Sequence, residues 1–120
     1  MTTRDDRAVH RMSSRIVALL TDFGQRDPFV GTMKGVMLGI NPDLQLIDLS
    51  HEITPQRIRE AATVLAASCA YFPPHTIFLV VVDPGVGGTR RPLVVETTAH
   101  LFVAPDNGVL GPALDQAEVR

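Results

Sequence analysis

Cysteine occurs once in the 120 residues, at Cys69. An internal disulfide and a multi-cysteine zinc site are thereby excluded. Charge of one sign is equally scarce, with 11 Lys and Arg against 13 Asp and Glu for a formal net charge of −2. Such a balance speaks against a polybasic arm, an acidic tail and nucleic-acid binding driven by bulk charge. Long apolar runs are lacking too. The longest, Ile77–Val82, has the length of a strand, far short of the ~20 residues of a membrane span. Residues 1–14 are polar and have no apolar segment of the kind a signal peptide needs. No Gly-x-Ser-x-Gly, no Gly-Lys-Ser/Thr and no His-x-x-His or Asp-x-Asp cluster occurs. A serine-hydrolase triad, a Walker phosphate loop and a metal centre therefore have no motif to support them. What remains is the expectation of a soluble, cytoplasmic, globular chain of one domain's length.

What is present alternates between two periodicities. Residues 1–14 are charged and Ser/Thr-rich and read as a disordered leader, with the folded domain spanning 15–120. Arg15–Leu20 is a short apolar run ending in the turn Thr21-Asp22-Phe23-Gly24, and reads as a strand buried on both faces. Phe29–Ile40 reads as a helix, stopped by Asn41-Pro42-Asp43. Its Gly31, Gly35 and Gly39 share one face. Because each glycine costs ~1 kcal/mol relative to alanine, the row predicts close approach of a neighbouring backbone. Leu44–Leu49 is a second strand. Thr54-Pro55 predicts an N-cap followed by proline at the first helical position, with the helix running to about Tyr71. Ile58, Ala61, Ala62, Leu65 and Cys69 form its apolar stripe. Ile77–Val82 is the most hydrophobic strand and the predicted centre of the sheet. Pro92–Glu96 and Leu101–Ala104 predict a hairpin around Thr97–His100, and Val109–Leu114 a short helix. The fold class is α/β: a mainly parallel sheet flanked by helices and built from βαβ units.

Three acids follow predicted strands: Asp22, Asp83 and Asp106. In an open α/β sheet ligands bind at the carboxyl ends of the strands, so these carboxylates share the rim where chemistry is expected. Each alone is an ordinary turn residue, and three together make a candidate site. Asp83 opens Asp-Pro-Gly-Val-Gly-Gly-Thr-Arg-Arg, in which a carboxylate and a guanidinium can be held close together. Among the four histidines, His51 alone falls near the rim, where a structural and a functional role stand equal. His75 and His100 fall in turns and read as surface residues.

Read in order, these segments form a succession: Thr21-Asp22-Phe23-Gly24, Asp27-Pro28-Phe29-Val30-Gly31, Met33-Lys34-Gly35, Ile47-Asp48-Leu49-Ser50-His51, Phe72-Pro73, Val82-Asp83-Pro84-Gly85-Val86-Gly87 and Ala104-Pro105-Asp106-Asn107-Gly108. The succession resembles the S-adenosylmethionine (SAM) hydroxide adenosyltransferase family, the SAM hydrolases, relatives of fluorinase and chlorinase. The resemblance implies cleavage of SAM by water or hydroxide at the ribose C5′, giving adenosine and L-methionine, with no metal or other cofactor. It implies catalytic roles for Asp83 and Arg90, two positions at which the halogenases carry other residues. It implies substrate binding by Asp22, through the ribose hydroxyls, and by Asp27, Phe29 and Asn107, with Asp106 left to cap its turn. Phe29 stands where the hydrolases often have tyrosine. The family's catalytic histidine belongs to a His-Gly-Arg-Asp-like stretch that matches none of the four histidines here.

Family members are longer, with a C-terminal β-barrel-like domain, and resemble homotrimers whose pocket lies between subunits. By that comparison residues 15–120 are an incomplete N-terminal domain without the barrel. It would hold half a site, turn over negligibly alone, and present an open sheet edge and exposed apolar surface. The expected partner is SAM or adenosine, with neither nucleic acid nor membrane. A halogenase relative and a non-catalytic nucleoside-binding module are the alternatives.

Overall fold

The computed structural model describes residues 15–83 and 91–117. The predicted leader, Arg90 and most of the glycine-rich segment lie outside the described residues. In chain order the elements are β1 (Ile16–Thr21), α1 (Phe29–Ile40), β2 (Gln45–Ser50), α2 (Ile58–Ser68), a 3₁₀ turn (Cys69–Tyr71), β3 (Ile77–Val81), β4 (Pro92–Glu96), β5 (Leu101–Pro105) and α3 (Gly111–Asp115).

The five strands form one sheet in the order β2-β1-β3-β5-β4. β1 pairs in parallel with β2 on one side and with β3 on the other, and β3 pairs in parallel with β5. β4 runs antiparallel to β5, the expected hairpin, closed where the Thr97 N–H donates to the His100 carbonyl at 2.9 Å. From β1 the chain crosses through α1 to β2 on one side, then returns through α2 to β3 on the other. Right-handed crossovers in opposite directions put α1 and α2 on opposite faces. They also leave a topological switch point between the carboxyl ends of β1 and β3.

The two faces are covered unequally. Ala61, Ala62, Leu65 and Cys69 of the α2 stripe pack with Ala18, Leu20, Phe78, Val80, Phe102 and Ala104 of the sheet and with Ala113 of α3. Phe78 stacks on Phe102 at a centroid distance of 5.3 Å. On the second face Val17, Leu19 and Thr21 of β1 are buried, yet alternate residues Ile77, Leu79 and Val81 of β3 are only half-buried. Ile40 (82% exposed), Phe29 (62%), Tyr71 (88%) and Val94 (68%) stand in solvent, the exposed apolar surface that the reading of the sequence anticipated.

Three expectations are corrected. The glycine row of α1 approaches no neighbour. A Cβ built at Gly31, Gly35 or Gly39 meets nothing within 4 Å, because that face of the helix points outward. α2 begins at Ile58 rather than at Pro55, with Arg57 as its N-cap and no side-chain cap. Gln56 intervenes with φ of 65°, and its N–H is committed to a carboxylate elsewhere, so the segment after Thr54 is a turn. Glu60, in the first turn of α2, reaches back to the Thr54 N–H at 3.1 Å, and this bond holds its carboxyl below the ordinary value. His100 is not a surface residue: its ring stands edge-on to Phe78 at 5.1 Å, and its Nε2 lies 3.3 Å from the Phe72 carbonyl.

α1 buries only Val30, so its polar tether matters. Lys34 Nζ donates to Asp48 Oδ2 of β2 at 2.7 Å, and Asp48 Oδ1 lies 2.7 Å from His51 Nε2. Burial pushes the Asp48 carboxyl up, but the hydrogen bonds from Lys34 and His51 prevail and hold it below the ordinary aspartate value. A carboxyl lowered in the folded state stabilises the fold at pH above its unfolded value, and that contribution fades as pH falls through the folded one. The difference in unfolding free energy between wild type and Asp48→Asn, from urea melts, is therefore expected to be largest at neutral pH and to shrink below the ordinary aspartate range. A difference constant with pH would show that the charge contributes nothing. In the core, Leu65→Ala is expected to cost about 2–5 kcal/mol through its cavity. Tyr71→Ala should stay within about 0.5 kcal/mol in the same melts.

Candidate functional site at the carboxyl rim

The rim is built from the loops after β1, β3 and β5, with the loop after β2 packed beside them. β1 ends in buried Thr21, paired with Val81 of β3, so Asp22 and Asp83 leave two adjacent parallel strands at the switch point. Asp22 is half-buried. Its Oδ2 accepts the Gln56 N–H at 2.8 Å, which joins the β1 loop to the segment before α2. Gly24, at φ 74°, turns the loop back, and its N–H donates to the His51 carbonyl at 2.7 Å. The Phe23 N–H donates to Thr21 Oγ1 at 3.2 Å. The Asp22 backbone is thus pinned on both sides, and its carboxylate takes one backbone donor. A carboxylate has about four lone-pair sites, so one such bond leaves acceptor capacity for a pair of hydroxyls.

Asp83 lies two residues beyond β3 and is half-buried. The strand end before it is held from the neighbouring loop: Asn107 Nδ2 donates to the Val82 carbonyl at 2.8 Å, and Asn107 Oδ1 accepts the Val109 N–H at 3.1 Å. Next to Asn107, the Asp106 N–H donates to the Arg91 carbonyl at 2.8 Å. Consecutive residues therefore clamp both chain ends flanking segment 84–90. Asn107 thus ties the exit of β3 to its own loop, with Nδ2 on the Val82 carbonyl and Oδ1 on the Val109 N–H. Asp106 contributes its backbone N–H to this clamp, while its side chain, expected to cap the turn, is exposed.

Asp27 is exposed in the loop that leads to α1. Phe29 presents its ring largely to solvent and meets Phe23 at 6.3 Å with the planes tilted by 57°. Asp22, Asp83 and Asn107 thus share the rim, Asp27 and Phe29 lie at its outer margin, and Arg90 lies outside the described residues. Reading the residues did not single out Gln56 or Thr21. Gln56 bears no sequence signal for its contact with Asp22, because the contact spans 34 positions and uses a backbone N–H. Among the described residues, no group of three or more His, Cys, Asp or Glu could hold a metal ion. No helix there is long and apolar enough to cross a membrane. A cavity of about 600 Å³ lies at the opposite rim, lined in part by Cys69, Phe72, Thr97 and His100, and none of the candidate residues lines it. Burial pushes the Cys69 thiol up, away from the thiolate a nucleophile needs.

Comparison with known proteins agrees with the fold. Residues 17–120 match the model of the SAM hydroxide adenosyltransferase N-terminal domain. The chain is 44% identical over 99 residues to a Methanocaldococcus jannaschii protein named (R)-S-adenosyl-L-methionine hydrolase, covering 78% of this chain and 37% of that one. It is 24% identical over 124 residues to a fluorinase of an Actinoplanes species, covering 84% of this chain and 42% of that one. A Thermotoga maritima crystal structure superposes with a TM-score of 0.84 at 44% identity, over 87% of this chain and 40% of that one. The chain spans little more than a third of the length of the curated hydrolases it matches. Family model, identity and fold agree, and the chain belongs to the SAM hydroxide adenosyltransferase family, in the region of its N-terminal domain.

Proposed function

We propose that this chain supplies the nucleoside-binding and water-activating half of a SAM hydrolase. The observation that carries the reading is the pairing of two carboxylate-bearing loops across the β1/β3 switch point, with Asp22 on one and Asp83 on the other. In this reading Asp22 accepts hydrogen bonds from the vicinal ribose hydroxyls and fixes the sugar. Asp83 orients a water and draws its proton as the oxygen attacks C5′. The C5′–O bond forms as the C5′–S bond breaks, and the electron pair leaves on the sulfur of neutral methionine. The sulfonium is already a good leaving group, so the work is alignment of nucleophile, carbon and leaving group, and no cofactor is called for.

Arg90 is proposed to keep Asp83 ionised and oriented. Asp27, Phe29 and Asn107 are proposed to line the substrate side, with Asn107 acting mainly by bracing β3. The matched hydrolases are much longer, so completion of the pocket by a further domain, within a cytoplasmic homotrimer, belongs to the same proposal. Halide transfer is the weaker reading. The fluorinases match at 24–25% identity against 38–44% for the hydrolases, and a carboxylate beside the nucleophile repels an anion.

Calorimetry with adenosine tests the binding half. Asp22→Asn is expected to weaken adenosine about tenfold or more, the loss of a charge-assisted bond. Turnover is tested by chromatographic detection of adenosine from SAM. The 120-residue chain alone is expected to release a negligible amount, and a chimera completed with the remainder of the M. jannaschii hydrolase to release it steadily. In that chimera Asp83→Asn should lower release about 100-fold or more while adenosine affinity stays within about twofold. Undiminished release by Asp83→Asn would remove Asp83 from its role. A halogenated nucleoside formed with chloride or fluoride would turn the reading to halide transfer. Binding with no release by the chimera would leave a nucleoside-binding module.

A further inference from the structure

His51 is 1% exposed and makes three connections at the rim. Its Nε2 lies 2.7 Å from Asp48 Oδ1, its Nδ1 lies 2.7 Å from Thr21 Oγ1, and its carbonyl accepts the Gly24 N–H. The carboxylate of Asp48 also takes Lys34, so it is an acceptor and Nε2 must carry the hydrogen. In the neutral imidazole Nδ1 is then the acceptor and the Thr21 hydroxyl the donor, while the Thr21 oxygen receives the Phe23 N–H. The bonds run in two directed chains that meet on one ring. Lys34 and His51 converge on Asp48, and Phe23 reaches His51 through Thr21.

The second chain frames Asp22. The residue before it, Thr21, is fixed by its side chain, and the two after it, Phe23 and Gly24, by their backbone N–H groups. All three bonds trace to Thr21 and His51. We infer that His51 is a positioning residue that holds the Asp22 carboxylate in place through Thr21, with Asp48 and Lys34 setting its ring. The ligand consequence rests on the proposal that Asp22 binds the ribose; the positioning itself does not.

Two isosteric variants separate this role from simple filling of space. In His51→Asn the amide oxygen can replace Nδ1 and keep the Thr21 bond. In His51→Gln the amide can replace Nε2 and keep the Asp48 bond while abandoning Thr21. The Gln56 amide proton, bonded to Asp22 Oδ2, reports where the carboxylate stands without any ligand. Its NMR shift is read in the 120-residue chain for wild type, both variants and Asp22→Ala, with the Leu79 amide of β3 as a reporter of the sheet. The expected result is that His51→Asn keeps the wild-type Gln56 shift, while His51→Gln moves it to the Asp22→Ala position with Leu79 unchanged. In parallel, the affinity ratio of adenosine to 2′,3′-dideoxyadenosine should be retained in His51→Asn and fall about tenfold in His51→Gln.

An unmoved Gln56 shift in His51→Gln, or equal displacement of Gln56 and Leu79 in both variants, overturns the positioning role. A wild-type chain that fails to distinguish the two nucleosides, or an Asp22→Ala variant that distinguishes them as well as wild type, overturns the ribose reading instead. The Gln56 shift still decides the role of His51 in that case.

Discussion

The structure depends on β1 being hydrogen-bonded on both sides and covered on both faces. Its residues Val17–Thr21 are all buried, and its neighbours β2 and β3 run parallel to it. Parallel neighbours require crossovers, and crossovers to opposite sides create the switch point. A strand in that position cannot end in water. Its last residue, Thr21, is fully buried, and its hydroxyl must find partners. Those partners are His51 and the Phe23 N–H, so satisfying the end of β1 also sets the loop that carries Asp22. The demands of burial and the placement of a candidate ligand are met by the same bonds.

The opposite side of the switch point is braced differently. The chain leaves β3 toward Asp83 and re-enters the sheet at β4, and the carbonyls just outside those two strands need partners. The Asn107 amide takes the Val82 carbonyl, and the Asp106 N–H takes that of Arg91. β5 therefore serves as more than a fourth parallel member. The loop at its carboxyl end fixes both ends of the glycine-rich segment, and Gly108, at φ 87°, allows the chain to turn away afterwards. One loop is held by a buried histidine, the other by an asparagine.

Legibility in the sequence followed the range of the forces. The strands and the α2 stripe were readable because burial imposes a period that survives in the sequence. The bounds of α1 were readable because Asn41-Pro42-Asp43 is a local stop: Asn41 caps the exit by accepting the Asp43 N–H at 3.0 Å. The start of α2 was misread because Thr54-Pro55 carries a local capping signal that a long-range bond overrides. Drawing the Gln56 N–H to Asp22 turns the chain at positive φ and delays the helix to Ile58. The glycines of α1 were misread for the converse reason. Their spacing implies a neighbour, and the described chain puts open space there. His51 stayed ambiguous because its role lies in bonds to Thr21, 30 positions away, that no spacing rule encodes.

The same limit applies to the carboxylates, and geometry sorts them. In the sequence Asp48 lies within a strand and Asp22 directly after one, and neither position tells what the carboxylate meets. Asp48 has both oxygens engaged, one by Lys34 and one by His51, and its lowered carboxyl reflects those two bonds prevailing over burial. Such a group is spent on structure. Asp22 receives one bond, from a backbone N–H, and stands half-buried at the switch point. A single backbone donor orients a carboxylate without neutralising it or filling its acceptor sites, the two properties that the proposed ribose contact requires. Asp106 contributes its backbone and leaves its side chain exposed. What distinguishes Asp22 from Asp48 is the number and kind of its internal partners. By position the three acids first read at the strand ends separate into Asp22 and Asp83, which leave the paired strands β1 and β3, and Asp106, whose backbone clamps the loop beside them.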